Sequence, residues 1–130
     1  MKVTIPPLVI LAEDLELAGL VWQPEIGDEI SDRKTQESVS IVVDPQGMTP
    51  SELRGSFLWL PTLEQLIQQF EARQAIVEHV GFELSKSAMA YRTVIRCRDT
   101  HIETQHTSVR LSMGIALRDL LLTNNDSAIH

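Results

Sequence analysis

Two sets of side chains in this 130-residue chain have types and spacing that could do chemistry. The first is the acidic run Glu25, Asp28, Glu29 and Asp32. Hard divalent cations take several carboxylate oxygens converging on one point, and a bound cation with a nearby histidine as proton shuttle would make a metal-dependent hydrolase. The run lacks the Asp-x-Asp-x-Asp-Gly order and closing glutamate of a calcium loop, so a solvated, negatively charged turn is the competing reading. The second set is Arg92, Arg96 and Arg98, whose even spacing puts all three on one face of a strand. That face could receive RNA or a phosphate. Tyr91 points the other way, so the aromatic platform that single-strand binding uses is missing there. Cross-strand pairing with Glu103 and its neighbours, or contact with the acidic first half within the chain or across a dimer, competes with that use.

The remaining candidates carry less. His101-Ile102-Glu103 has the His-x-Glu spacing of zinc deaminases, but no cysteine follows it, and the one cysteine, Cys97, precedes it. His101 and His106 fall on opposite faces of a strand, and helical spacing puts His79 on a solvent side. Cys97 shares its strand face with Tyr91 and Ile95, which predicts a buried, inert thiol. Six scattered glycines offer no phosphate-cradling loop, and no nucleophile-elbow or dinucleotide fingerprint is present. No cofactor is called for.

Composition narrows the class. At 43% hydrophobic and 22% charged residues the chain is balanced for a globular fold, and its length predicts a single domain over 1–130 with one shared core. Residues 1–53 hold three basic and ten acidic side chains, and residues 54–130 hold eight of each. The whole net charge of −7 therefore lies in the first half, which would repel free nucleic acid. No apolar run approaches the ~18 residues of a membrane span, and the apolar stretch 8–12 is short for a signal peptide. With a lone thiol, a soluble cytoplasmic protein is expected.

The elements that would position these residues are legible in part. Apolar residues at Leu8, Leu11, Leu15 and Ala18 have helical spacing with Gly19 as a cap, although Leu8-Val9-Ile10-Leu11 also fits a buried strand. Residues 2–5, 20–22, 39–43 and 56–60 read as strands, with a further short one after the Ile26-Gly27 turn, and residues 31–38 as a mobile loop. Asp44-Pro45-Gln46-Gly47 reads as a turn. Thr49-Pro50-Ser51-Glu52 and Thr62-Leu63-Glu64-Gln65 each spell a capping box at the start of a helix. The second helix is expected to span about 62–80, with Leu63, Leu66, Ile67, Phe70 and Val77 on its buried face, Gln74 interrupting it and Gly81 capping it. Residues 89–98 alternate as a strand, 102–106 return antiparallel, and a last helix, capped by Thr107 or Ser108, covers about 108–122, with 124–130 frayed. The fold class is α+β: two main helices (62–80 and 108–122) on one face of a largely antiparallel sheet.

The segment Phe57-Leu58-Trp59-Leu60-Pro61-Thr62-Leu63-Glu64-Gln65-Leu66-Ile67 resembles the opening of small phage-type α-β-α sandwich proteins, in which a proline-threonine cap precedes a helix, a hairpin and a second helix. Residues 56–122 follow that order, with Gly81-Phe82-Glu83 and Tyr91-Arg92-Thr93-Val94 in keeping. The first 55 residues are similar instead to small bacterial, cyanobacterial-type proteins. This resemblance implies a fold and transfers no functional residue. Catalytic constellations are absent, whereas segregated charge and the arginine face suit docking. The sequence reading is therefore a non-enzymatic protein-interaction or regulatory module, with a protein partner or a second copy in a homo-oligomer. The metal hydrolase at residues 25–32 and RNA binding at Arg92, Arg96 and Arg98 stand as alternatives.

Overall fold

A computed structural model describes residues 5–36, 39–42, 47–85 and 88–129, of which 85 and 125–129 are described by backbone alone. It is α+β, with four helices and two three-stranded antiparallel sheets. The chain divides into two compact units, 1–61 and 62–130. Among the described residues, no helix is long and apolar enough to cross a membrane.

In the first unit, helix α1 (Pro7–Leu17) resolves the ambiguity at 8–11 in favour of a helix. Pro6 supplies its N-cap and Pro7 its first residue, where a missing N–H costs nothing. Gly19 follows at φ +109°, a backbone state that favours glycine. Strands β1 (Glu29–Asp32), β2 (Ser40–Ile41) and β3 (Phe57–Trp59) form a sheet in the order β2-β1-β3. Alternation along β3 serves two clusters. Leu58 joins Leu60, Val9 and Ala12 under α1, while Phe57 and Trp59 pack with Trp22, Ile30, Val42 and Leu53. Helix α2 (Pro50–Ser56) has the expected capping box, with Thr49 Oγ1 accepting from the Glu52 amide and Glu52 Oε1 from the Thr49 amide, both at 3.1 Å.

Three expectations in this unit change. Residues 20–22 form no strand, because the Trp22 carbonyl accepts from the Arg54 side chain at 3.0 Å instead of from a ladder. Among the described residues, the strand expected over 39–43 contributes two paired residues, Ser40 and Ile41. The loop expected over 31–38 opens with Ser31 and Asp32 paired to β3 and continues as a turn over 33–35. The strand residues 2–4, loop residues 37–38, and residues 43–46 of the strand and turn lie outside the described residues.

In the second unit, α3 (Leu63–Ala72) starts on its capping box, with Thr62 Oγ1 accepting at 3.2 Å and Gln65 Oε1 at 3.0 Å. It does not run to 80. Gln74 turns left-handed at φ +58°, the Ala75 amide bonds the Phe70 carbonyl at 2.9 Å, and the Gln74 amide bonds that of Glu71 at 3.0 Å. This pair of bonds is a Schellman stop built without glycine. Residues 76–85 are then strand β4 (Ile76–Ser85), so Val77 and His79 are strand residues, and Gly81 lies mid-strand instead of at a helix end. Strand β5 (Ala88–Cys97) pairs antiparallel with β4 and with β6 (Thr100–His106), and residues 86–87 lie outside the described residues.

Helix α4 (Val109–Ile129) is capped by Ser108, whose Oγ accepts from the Leu111 amide at 3.2 Å, and it runs past 122. It packs on β5, β6, β4 and α3. Met113, Ala116, Leu117, Leu120 and Leu121 are buried with Leu66, Phe70, Ile95, Cys97 and Ile102. Within that apolar layer, Thr93 Oγ1 lies 2.7 Å from Ser112 Oγ, and Thr104 Oγ1 donates to the Ser112 carbonyl at 2.7 Å. Each buried hydroxyl is satisfied only when α4 sits in one register on the sheet.

Two outcomes check this architecture. Gln74 is exposed, so Gln74→Gly relieves the left-handed backbone without losing packing and should raise unfolding free energy by about 0.5–1 kcal/mol in urea titration. Ser112→Ala leaves the Thr93 hydroxyl buried and unpaired and should cost ~1–3 kcal/mol, whereas adding Thr93→Val should recover part of that loss.

Candidate functional site

Asp28 anchors the acidic run from inside. It is buried, and its Oδ2 accepts from Trp22 Nε1 at 2.8 Å and from the Glu25 amide at 2.9 Å. These bonds close the turn around Gly27, at φ +97°, and fix an indole in the core. Asp32 Oδ1 accepts from the amides of Lys34 and Thr35, which builds the turn after β1. Glu25 is exposed, while Glu29 is half-buried and paired in β1 opposite Ile41. The four carboxylates thus serve different parts of the unit. Among the described residues, no group of three or more histidine, cysteine, aspartate or glutamate side chains is arranged to hold a metal ion.

The arginine face is a cross-strand ion-pair network. Arg92 Nε lies 2.5 Å from Glu103 Oε1 on β6, and its Nη1 lies 3.5 Å from Glu83 Oε2 on β4. Arg96 reaches Glu78 at 3.4 Å. His79 Nε2 is 2.5 Å from Glu83 Oε2, at ion-pair distance but without hydrogen-bond alignment. The imidazole lies across Gly81, where a Cβ would stand 2.9 Å from His79 Cε1. A side chain at this mid-strand position would push the imidazole aside. Arg98 stands apart from the stripe, in the turn after β5 at φ +56°. His101 pairs with Arg96 and His106 with Tyr91, on opposite faces as the spacing requires. Cys97 is buried, with its Sγ 3.7 Å from the Arg73 carbonyl.

The opposite face of the same sheet is unfinished. Strands β4 and β5, ten residues each, pair at nine positions with a bulge between Val77 and His79, but β6 ends with His106 opposite Tyr91. The hairpin therefore overhangs β6 by three rungs, Glu83–Ala90, Leu84–Met89 and Ser85–Ala88. Phe82 and Tyr91 stack across the strands where the overhang begins, with ring centroids 4.8 Å apart. On the face that α4 covers further along, Phe82 is 53%, Leu84 75% and Met89 53% exposed. Among the described residues, the β5 edge at 88–90 pairs with β4 alone. Sequence reasoning missed this surface because alternation reveals which residues share a face, and the length of the neighbouring strand decides whether that face is covered.

Compared with known protein families, curated proteins and solved structures, the chain matches none.

The ion-pair network has a pH signature. The hydrogen bond from Arg92, and then its charge, hold the Glu103 carboxyl below the usual glutamate range. A depressed carboxylate stabilises the fold above its unfolded value, and that contribution disappears as pH falls through the lowered folded value. NMR titration should place Glu103 below ordinary glutamates, and Arg92→Gln should return it upward.

Proposed function

We propose that this chain is a non-enzymatic interaction module that works as a homodimer, joined through the overhanging end of the β4–β5 hairpin. One observation carries the reading: Phe82, Leu84 and Met89 lie exposed side by side, next to a strand edge with no second neighbour among the described residues. Open edges and contiguous apolar faces are the features by which strands recruit further chains. The patch itself is uncharged, and an isologous contact sets the same surface against itself. An acidic or basic partner would find no complement there, whereas a second copy does. The buried thiol of Cys97 and the absence of any need for disulfides suit a reducing, cytoplasmic setting.

The arginines named from the sequence enter this reading indirectly. Arg92 and Arg96 are held by carboxylates of neighbouring strands, so they stiffen the hairpin from its other face. Arg98 is exposed in its turn and remains a position for polar contacts to a further protein partner.

The magnitudes set the expected strength. Six partly exposed apolar side chains from two copies contribute on the order of 10 kcal/mol. Lost translational and rotational freedom removes at least ~4 kcal/mol of that, leaving at most about 6 kcal/mol and a dissociation constant of roughly 40 μM or weaker. Sedimentation across a concentration series should show reversible dimerisation. Leu84→Asp, at a 75% exposed site, should give a monomer with unchanged circular dichroism. A wild-type chain that stays monomeric at every concentration overturns the proposal.

A further inference from the structure

The first unit contains a cleft that none of the surfaces above uses. Its volume is about 690 Å3, inside the roughly 300–1,000 Å3 typical of small-molecule sites. Trp22, Phe57 and Trp59 line it together with Val21, and two guanidinium groups, Arg33 and Arg54, line it with Glu16. This concentration of cation is notable in position, because the surrounding half of the chain is strongly acidic. We infer that the cleft binds a small monoanionic carboxylate carried on a flat apolar body, such as an aromatic acid.

The two arginines have different standing. Arg33 is committed: its Nη2 lies 2.5 Å from Glu16 Oε2, and its Nε and Nη2 donate to the Arg54 carbonyl at 3.0 and 2.7 Å. Those bonds secure the end of α2 and leave Arg33 neutralised. Arg54 donates from Nη1 to the Trp22 carbonyl at 3.0 Å, its one acceptor among the described residues. Its guanidinium is half-buried and faces no carboxylate within ion-pair distance among those residues. A guanidinium held by one carbonyl keeps its other donors in a fork that matches a carboxylate.

Charge count selects the ligand class. Two guanidinium groups and the Glu16 carboxylate leave one net positive charge on the lining. A monoanion balances it, whereas the multiple charges of a nucleotide triphosphate would meet Glu16 unopposed. The aromatic side chains supply the contact for a flat body. Phe57 and Trp59 are placed by alternation on β3, and Trp22 is fixed by its bond to Asp28, so the walls are preorganised.

The chain's two tryptophans both line the cleft, so their indole N–H resonances report on it directly. Titration of the full chain with 2-naphthoate, followed by 1H–15N NMR, should shift both signals saturably. The neutral analogue 2-naphthalenemethanol and the Arg54→Gln variant should each bind about tenfold weaker or worse, as loss of a charge-assisted bidentate contact demands. Arg54→Lys keeps the charge and the bond to Trp22 within reach, and should retain intermediate affinity even if Arg54→Gln fails to fold. No saturable shift into the millimolar range, or equal affinity for naphthoate and its neutral analogue, overturns the inference. These outcomes are independent of the oligomeric state.

Discussion

The amide of Ala75 reaches back to the Phe70 carbonyl because Gln74, a residue with a Cβ, accepts the left-handed backbone. That one conformation hands the second unit from helix to strand. Had the helix continued at 3.6 residues per turn, Val77 would have stayed on the buried stripe with Phe70, and residues 76–85 would not be a strand. Because it stops, Ile76 to Ser85 becomes the outer strand of a long hairpin. The β-branched pair Ile76-Val77 favours that outcome locally. The left-handed residue costs on the order of 1 kcal/mol, which the burial of Phe70 and Ala75 around the stop offsets.

Once β4 exists, lengths govern what is covered. Ten-residue strands reach about 33 Å, whereas the seven residues of β6 reach about 23 Å. Helix α4 begins shortly after β6 ends, and the hydroxyls of Thr93, Thr104 and Ser112 fix its register over the middle of the sheet. An apolar interface alone would tolerate sliding along the strands. A pair of buried hydroxyl contacts does not, since any shift strands a polar atom in the core. The uncovered rungs at Leu84 and Met89 follow from that register as directly as the covered ones at Ile95 and Ile102 do.

How much of this could be read in the sequence depended on the range of the interaction. Both capping boxes were legible because Thr49 with Glu52 and Thr62 with Gln65 are local, three residues apart, and both are present as spelled. The alternation of β5, the return of β6 and the buried Cys97 were legible for the same reason. The helical stop was not, because left-handed caps are usually announced by glycine, and the glycine at 81 drew the expected helix end to about 80 instead of Ala72. Gln74 breaking the apolar stripe was the available signal. The acidic run drew attention by charge, yet charge does not disclose that Asp28 points inward to an indole. Likewise the cleft gathers Arg33 and Arg54 from 21 residues apart, a pairing that no local pattern announces.

The two faces of the hairpin bear on one another. An isolated two-stranded ribbon is marginal in water, so an overhang with no third strand would ordinarily fray. Here Arg92, one rung inside the last three-stranded one, spans from Glu103 on β6 to Glu83 on β4, in the first rung of the overhang. His79 crosses Gly81 toward the same Glu83, and Phe82 stacks on Tyr91 from the other side. Exposed ion pairs contribute little singly, but Arg92 and His79 converging on Glu83, with the Phe82–Tyr91 contact on the other face, resist the splaying of β4 from β5 at its base. The charged face therefore supports the strand geometry on which the apolar face depends. A ribbon so braced presents Phe82, Leu84 and Met89 already ordered, and a partner that meets them need not supply the entropy of folding the hairpin.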